Sequence, residues 1–456
     1  MFEQLFRDQK KFYKSGSTRP YGFRQSQLKA LYRLLDEQEE RLLKAVFDDF
    51  KKPAFETFAL EIGVLKSELS YALNNLSKWM QPENIRGTLV NFPSKNVIYK
   101  EPLGTVLIIS PWNYPVQLSL LPLIGAIAAG NTAIIKPSEC TPNTSSLLAE
   151  LIAEYFSEDY ISVVQGGVEE TQSLLHFPFD HIFFTGSPRV GKIIMKAAAE
   201  HLSPVTLELG GKSPCIITKD ADLDISARRI VWGKFVNAGQ TCVASDYVYV
   251  PDEYKTPFIH ACNSVLREFY GENPKESSDY ARIINDQQFN RLQRILETDD
   301  QYIVTGGVMD ADERYISPTI LDIPDWEVEC MKDEIFGPVL PVIGYEDLNE
   351  IIEVINEHPK PLACYIFTND HQAESRILEE ISFGGGAVND TVAHLGNHHL
   401  PFGGVGNSGM GTYHGVHSFN TFSHRKSIMK KSSWLKIPIR YAPYNGNLKW
   451  IKRILR

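Results

Sequence analysis

The chain has 456 residues, too many for one hydrophobic core of ordinary size, so two or three domains are expected. With 43% hydrophobic and 22% charged residues it has the composition of a globular protein, neither disordered nor membrane-spanning. A formal net charge of -10 argues against nucleic acid, whose phosphates require a basic partner.

The N-terminus, MFEQLFRDQKKFYKSG, contains Glu3 and Asp8 and no apolar run of signal length, so it reads as an amphipathic helix of the mature protein. No stretch reaches the roughly 18 apolar residues that a bilayer crossing needs. The most apolar segment, 116–129, is interrupted by Gln117, Pro122 and Gly125. From about 22 to 80, leucines at 28, 31, 34, 35, 65, 69 and 73 recur at helical spacing. The segment 87–99 changes character: TLVNF and NVIY flank Pro93 and Ser94 and predict a hairpin.

An alternation of strands and helices follows. TVLIIS (105–110), a helix over 116–129, TAIIKP (132–137), a helix, ISVVQG, a short helix, HIFFTG (181–186) and a helix over 189–200 predict parallel strands buried on both faces. A second α/β unit begins at about 209 and continues past Gly404. The closing segment SFNTFSHRKSIM has strand character and is expected to pair with the early hairpin. The predicted fold class is α/β, with two doubly wound parallel-sheet domains and a small β element. Ligands in such sheets sit at the carboxyl ends of strands, where PWNYP, KPSE and FTGS all fall.

FTGSPRVGK (184–192) sets Gly186 and Gly191 between a strand and a helix whose N-terminus could bind a pyrophosphate. Pro188 replaces the middle glycine of GxGxxG, which leaves nucleotide binding and a purely structural turn both open. In KPSE, Lys136 and Glu139 suit either ribose contacts or an exposed ion pair. Glu208, between Leu207 and Leu209, is either a desolvated general base or an edge-strand carboxylate facing water.

Six cysteines are scattered without CxxC spacing, as expected of free thiols in a cytoplasmic protein. Cys215, Cys262 and Cys364 read as core, and Cys140 and Cys330 as incidental. Cys242 follows Asn-Ala-Gly-Gln-Thr at a flexible junction past a helix end, where a thiol can be exposed and attack a carbonyl. Asn113, in the turn PWNYP, could donate to the resulting oxyanion or simply shape the turn.

His394, His398 and His399 have a metal-ligand spacing, but Gly396 and Asn397 would break the helix it requires, so a polar loop and no metal site are expected. The stretch from Arg425 to Arg456 has ten Lys or Arg and no Asp or Glu, interleaved with Trp434, Leu435, Trp450, Ile451 and Leu455. It suits an anionic membrane surface or a packed basic tail, and the lack of a long apolar face favours the second.

Taken together, PWNYP, GNTAIIKPSE, FTGS, LELGGKSP, GQTC, EIFGP and LPFGGVGNSGMG resemble the aldehyde dehydrogenase superfamily, in the family's order and over nearly the whole chain. YHGVHSFNTFSHRKS resembles the class 3 branch. The resemblance implies an aldehyde dehydrogenase-like fold: a dinucleotide-binding domain over 1–86 and 101–208, a catalytic domain over 209–418, and an oligomerisation element over 87–100 and 419–456. It implies Cys242 as nucleophile, Asn113 and the Cys242 backbone N–H as oxyanion donors, and Glu208 as general base. Lys136 and Glu139 would hold the adenosine ribose, and Gly186, Ser187 and Gly191 the pyrophosphate. Glu334 and Phe336 would position the nicotinamide ribose and ring, and Trp112 joins them on the cofactor side.

The activity implied is NAD-dependent oxidation of medium- or long-chain aliphatic or aromatic aldehydes to acids, with NADP an alternative, by a homodimer. CoA-acylating relatives generally lack the glutamate, so its presence favours free acid. An acylating or semialdehyde-specific dehydrogenase and a catalytically silent structural or binding member are the competing readings; intact Cys242, Glu208 and Asn113 argue against silence.

Overall fold

The computed structural model describes residues 2–434 and 441–455. Its first sheet has six strands in the order Gly409–Met410, Val205–Leu209, His181–Gly186, Thr105–Ile109, Thr132–Lys136 and Ile161–Val163. All neighbours are parallel except Gly409–Met410, which runs antiparallel to Val205–Leu209. Every residue of Thr105–Ile109 and Thr132–Lys136 is buried, as expected for strands covered by helices on both faces. The helix Pro115–Ala129 is buried along its whole length, which accounts for its apolar run without any membrane.

The second sheet has seven strands: Ile303–Thr305, Thr319–Ile323, Val339–Tyr345, Tyr247–Pro251, Pro214–Ile217, Ala363–Phe367 and Gly385–Val388. Only the edge strand Ile303–Thr305 is antiparallel. The N-terminal helix, Glu3–Lys14, docks on the first sheet, with Phe6 stacked on Phe177 and Gln9 Nε2 donating to Ala133 O and Ser162 Oγ.

A third, antiparallel sheet joins Glu83–Ile85, Lys95–Pro102 and Ser423–Lys430. The early hairpin therefore exists, but its first arm is Glu83–Ile85 and not TLVNF. Leu89–Asn91 forms a single 3₁₀ turn, and Leu89 and Phe92 point into solvent. Nothing covers a TLVNF strand, and Pro93 lacks the N–H that a ladder needs. The closing segment is also divided. Gly415–Thr421 is helical because Phe419 and Phe422 must face the helix Pro115–Ala129, where Gly125 leaves room for Ser418. Ser423–Lys430 then pairs with Lys95–Pro102 as expected.

The basic tail departs from the packed alternative: Trp434, Leu448, Trp450 and Leu455 are exposed, and Ile451 is half-buried. Leu435 lies outside the described residues. Among the described residues, no helix is long and apolar enough to cross a membrane.

One buried ion pair anchors the turn that begins the helix Pro115–Ala129. A single π-helical turn, Phe58–Ile62, carries Glu61 inward, where it meets the Lys52 ammonium at 2.7 Å with both side chains fully buried. The second carboxylate oxygen accepts the N–H groups of Val116 (2.9 Å) and Gln117 (3.2 Å), taking the place of a capping side chain at the positive end of that helix. The Lys52 ammonium lies 3.8 Å from the Tyr114 ring centroid. Breaking one side of such a pair leaves a buried charge without a partner. Glu61→Ala is therefore expected to cost about 3–5 kcal/mol, and Glu61→Gln less because it keeps one acceptor. Thermal unfolding checks this, and an unchanged midpoint for Glu61→Ala would show that the pair stabilises nothing.

Candidate active site

The carboxyl ends of strands from both large sheets open onto a cleft of about 700 Å³. Its walls include Trp112, Asn113, Gly186, Ser187 and Glu208 from the first sheet's loops, and Cys242, Glu334 and Phe336 from the second's. Eight of the residues singled out in the sequence thus meet in one cavity. Lys136 ends the neighbouring strand Thr132–Lys136 and Glu139 follows it, while Gly191 packs on Leu209.

Cys242 occupies a rigid loop, contrary to the flexible junction expected from its neighbours. Residues 236–241 are all buried, with Asn237 (φ 55°) and Ala238 (φ 51°) in the left-handed region. Asn237 Nδ2 donates to Asn113 O (2.9 Å) and Gln240 O (3.1 Å), while Asn113 Nδ2 donates to Gln240 O (3.0 Å). Gln240 Nε2 reaches Asn237 O and Arg282 O, and its Oε1 accepts from Ile284 N–H. Gly239 (φ 74°) approaches so closely that a Cβ there would lie 2.2 Å from Gly337 O. Nothing in the run Asn-Ala-Gly-Gln-Thr signals that Asn237 and Gln240 bind the loop to residues more than forty positions away.

Three acidic groups converge on the cleft floor. Burial pushes the Cys242 thiol up to about 12; the Glu334 and Glu208 carboxylates push the same way, and the N–H groups of Cys242 and Val243 only partly offset them. Glu208 is 2% exposed, neither carboxyl oxygen has a hydrogen-bond partner, and burial holds its pKa well above the ordinary carboxylate range. Burial, and then the charge of Asp246, lifts Glu334 to about 8, against the Gly211 N–H and the Lys212 and Arg291 cations.

The EIFGP segment is braced from behind. Asp246 accepts from Lys212 Nζ at 2.6 Å and from Ile335 N–H at 3.1 Å, and it lies 3.8 Å from the fully buried Lys234 ammonium. Arg291 donates to the carbonyls of Glu334 (3.3 Å) and Ile335 (2.5 Å). Gly210 leaves room for the Glu334 carboxylate: a Cβ there would sit 2.0 Å from Glu334 Oε2 and displace that side chain. Phe336 is held at φ 48° with its ring edge-on to Trp112, centroids 5.3 Å apart. Of this brace only Lys212 fell inside a motif read from the sequence. Asp246, Lys234 and Arg291 carried no local signal.

At the other end of the cleft, Ser187 caps the helix Pro188–Ala199 by accepting from Val190 N–H, and Arg189 and Lys192 add positive charge beside its N-terminus. Lys136 is buried, donates to Pro137 O at 2.7 Å and lies 3.7 Å from the half-exposed Glu139 carboxylate. Burial lowers its pKa, and Glu139 opposes that shift.

A second cavity of about 160 Å³ reaches Cys242 from the opposite side. Its walls are mainly apolar and include Leu60, Val64, Tyr114, Trp232, Leu395 and Phe402. Cys242 and Leu118 line both cavities. A thiol at that junction can be reached by an apolar carbonyl compound from one side and a larger polar ligand from the other. The three histidines form no metal cluster: among the described residues no group of His, Cys, Asp and Glu could hold a metal ion. His398 stacks on Tyr71, and Ala393–Gly396 is a 3₁₀ turn.

A sequence model of the aldehyde dehydrogenase family matches residues 3–428. The chain is 49% identical over 456 residues to the 4,4'-diaponeurosporen-aldehyde dehydrogenase of Staphylococcus aureus, covering 100% of this chain and 99% of that one. It is 46% identical to the dimeric NADP-preferring aldehyde dehydrogenase of Mus musculus, covering 92% of each. A solved structure of Staphylococcus aureus AldH in a substrate-bound state superposes with a TM-score of 0.98 at 49% identity, over 100% of both chains.

Because the charged form of Cys242 is disfavoured, alkylation of this thiol by iodoacetamide should be slow at neutral pH and climb about tenfold per pH unit. Glu334→Gln removes a nearby negative charge and should speed alkylation above about pH 8, where Glu334 itself ionises. Peptide mass spectrometry resolves Cys242 from Cys140. A rate independent of pH would contradict a buried, protonated thiol.

Proposed function

The chain belongs to the aldehyde dehydrogenase family, and on that footing we propose how its residues divide the reaction. The enzyme oxidises aldehydes to carboxylic acids with NAD or NADP. The position of Cys242 where the two cavities meet carries our assignment: the aldehyde enters by the apolar channel and the dinucleotide by the larger cleft.

The cleft's residues fit a dinucleotide by chemistry. A capped helix N-terminus with Arg189 and Lys192 suits a pyrophosphate held by Gly186, Ser187 and Gly191. Lys136 and Glu139 would take the adenosine ribose, and Trp112, Glu334 and Phe336 the nicotinamide ribose and ring. When bound, the nicotinamide accepts a hydride. The buried floor, unlike bulk water, leaves the reacting carbon next to fixed donors.

Cys242 gives up its thiol proton to water in the cleft, and the thiolate sulfur attacks the aldehyde carbon to form a thiohemiacetal as its oxyanion. The developing oxyanion rests on the second N–H of the Asn113 amide, whose first is committed to Gln240 O, and on the Cys242 backbone N–H. Loss of hydride from that carbon leaves a thioester on Cys242. Glu208 then takes a proton from water, and the hydroxide cleaves the thioester to free acid and thiol. Glu208 has no partner to satisfy its carboxylate, so burial keeps it basic enough for this task.

The apolar channel supports medium- and long-chain aliphatic or aromatic aldehydes as substrates, and the Staphylococcus aureus relative acts on 4,4'-diaponeurosporen-aldehyde. The strand orders support a nucleotide domain over 1–86 and 101–208, a catalytic domain over 209–418, and an oligomerisation element over 87–100 and 419–456. The first sheet nevertheless borrows Gly409–Met410 from the second span. Ser423–Lys430 forms the outer strand of its small sheet, which supports dimerisation across that edge, as does the name of the murine dimeric relative. Six free thiols support a cytoplasmic location. The exposed aromatic and basic tail suits peripheral contact with anionic lipid.

Glu208→Gln should keep a rapid burst of NADH near the wild-type amplitude while slowing steady turnover by about 10²–10⁴-fold, the usual worth of a general base. Rapid-mixing absorbance measures both phases. Loss of the burst would move Glu208 to thiol activation and make Glu334 the candidate for hydrolysis. Full-length protein should co-sediment with phosphatidylglycerol vesicles and a chain ending at Lys430 should not; equal binding by both would remove the tail from the account.

A further inference from the structure

The aldehyde channel has a neighbour. A hollow of about 200 Å³ lies against it, and the two share Ala59, Val64, Leu395, Gly396 and His414 as lining. Beyond the shared wall the hollow turns polar, with Ser67, Glu68 and His398. The catalytic steps described above use none of these polar groups.

His414 is the unusual member. It is 3% exposed and held at φ 76° and ψ 137°, a positive-φ conformation outside the left-handed helical well and costly for any side chain. Its backbone N–H is fixed by Ser418 Oγ at 2.8 Å, and its ring stacks on Phe402 and meets Tyr413 edge-on. So clamped, the imidazole cannot turn to find a partner, and its buried Nε2 has none in the protein. An unpaired buried polar atom costs about 1–3 kcal/mol, a cost that a ligand can remove.

The charge state around the hollow narrows the ligand. Burial, and then His394, His398 and His417, push His414 down to about 3, so its ring is neutral. Glu68 accepts the N–H of Gly415, and burial raises its pKa to about 7, against that hydrogen bond. A carboxylate would be repelled by ionised Glu68, and a neutral imidazole offers a cation little. A hydroxyl both donates and accepts, so it can pair with either tautomer of His414.

We propose that this hollow is a distal subsite of the aldehyde channel, in which His414 Nε2 hydrogen-bonds a hydroxyl at the far end of the substrate. ω-Hydroxy aldehydes long enough to span both cavities are then preferred over plain alkanals of the same length. The inference rests on the reading of the 160 Å³ cavity as the aldehyde channel.

The test compares kcat/KM with NAD for hexanal, decanal and hexadecanal and for their ω-hydroxy counterparts, using the intact enzyme. In one of the longer pairs the hydroxyl should raise kcat/KM by about tenfold, while on hexanal, stranded among apolar side chains, it should lower it. In His414→Asn, whose shorter side chain withdraws the polar group from the hollow, the ratio within the long pair should fall to about one, with thermal unfolding to check that the variant folds at this strained backbone. Gly396→Leu provides a second variant, because a Cβ at Gly396 meets nothing within 4 Å. It should depress kcat/KM for both long members relative to hexanal by narrowing the shared wall. A hydroxyl penalty at every length, or a preference that persists in His414→Asn, overturns the proposal. If plain alkanals show a length dependence but no ω-hydroxyl preference, only the distal subsite falls. If kcat/KM is indifferent to chain length, the channel assignment fails with it.

Discussion

Asn113 and the loop before Cys242 are joined by buried amide hydrogen bonds, and the geometry of the site depends on that joint. Asn113 lies in the turn after the first sheet's strand Thr105–Ile109 and Cys242 in the loop before the second sheet's strand Tyr247–Pro251, so neither sheet alone fixes the distance between nucleophile and oxyanion donor. The Asn237 and Gln240 side chains fix it, tying the Asn113 turn, the nucleophile loop and the 282–284 segment together. In a low-dielectric interior each of these bonds is strong, and together they hold the loop in one arrangement although Asn237 Oδ1 has no partner among the described residues. The Lys52–Glu61 pair extends the same brace to the start of the helix Pro115–Ala129, so that the Asn113 turn is held from both ends.

A second constraint is electrostatic. Cys242, Glu208 and Glu334 share the cleft floor, where each negative charge raises the cost of the next. The resting site is therefore nearly neutral. That suits a sequence in which the negative charge sits first on sulfur and then on the aldehyde oxygen, and Glu208 serves as a carboxylate only once the neutral thioester has formed. Glu334 is kept from collapsing onto the thiol by the Lys212–Asp246–Ile335 brace and by the two carbonyls that Arg291 holds.

Much of the α/β frame was legible in the sequence because its strands are buried on both faces and so read as uninterrupted apolar runs. The small sheet was harder to read. TLVNF has the composition of a strand but no partner or cover, whereas Glu83–Ile85 is strand only because Lys95–Pro102 lies beside it. The meeting of Cys242, Glu208 and Asn113 was legible through ordered motifs, not through local chemistry. Asn-Ala-Gly-Gln-Thr looks flexible until Asn237 and Gln240 are seen to bond partners far away in the chain. The Asp246 brace and His414 left no trace in spacing or composition, since their significance lies entirely in burial and in which hydrogen bonds are made or missing.

The central claim is that Cys242 carries the acyl group between oxidation and hydrolysis. Acid-quenching Glu208→Gln after mixing with decanal and NAD, followed by peptide mass spectrometry, tests it most directly. The account predicts a decanoyl adduct on the peptide containing Cys242 and on no other cysteine peptide. NADH formation without an adduct, or an adduct on Cys140, would contradict it.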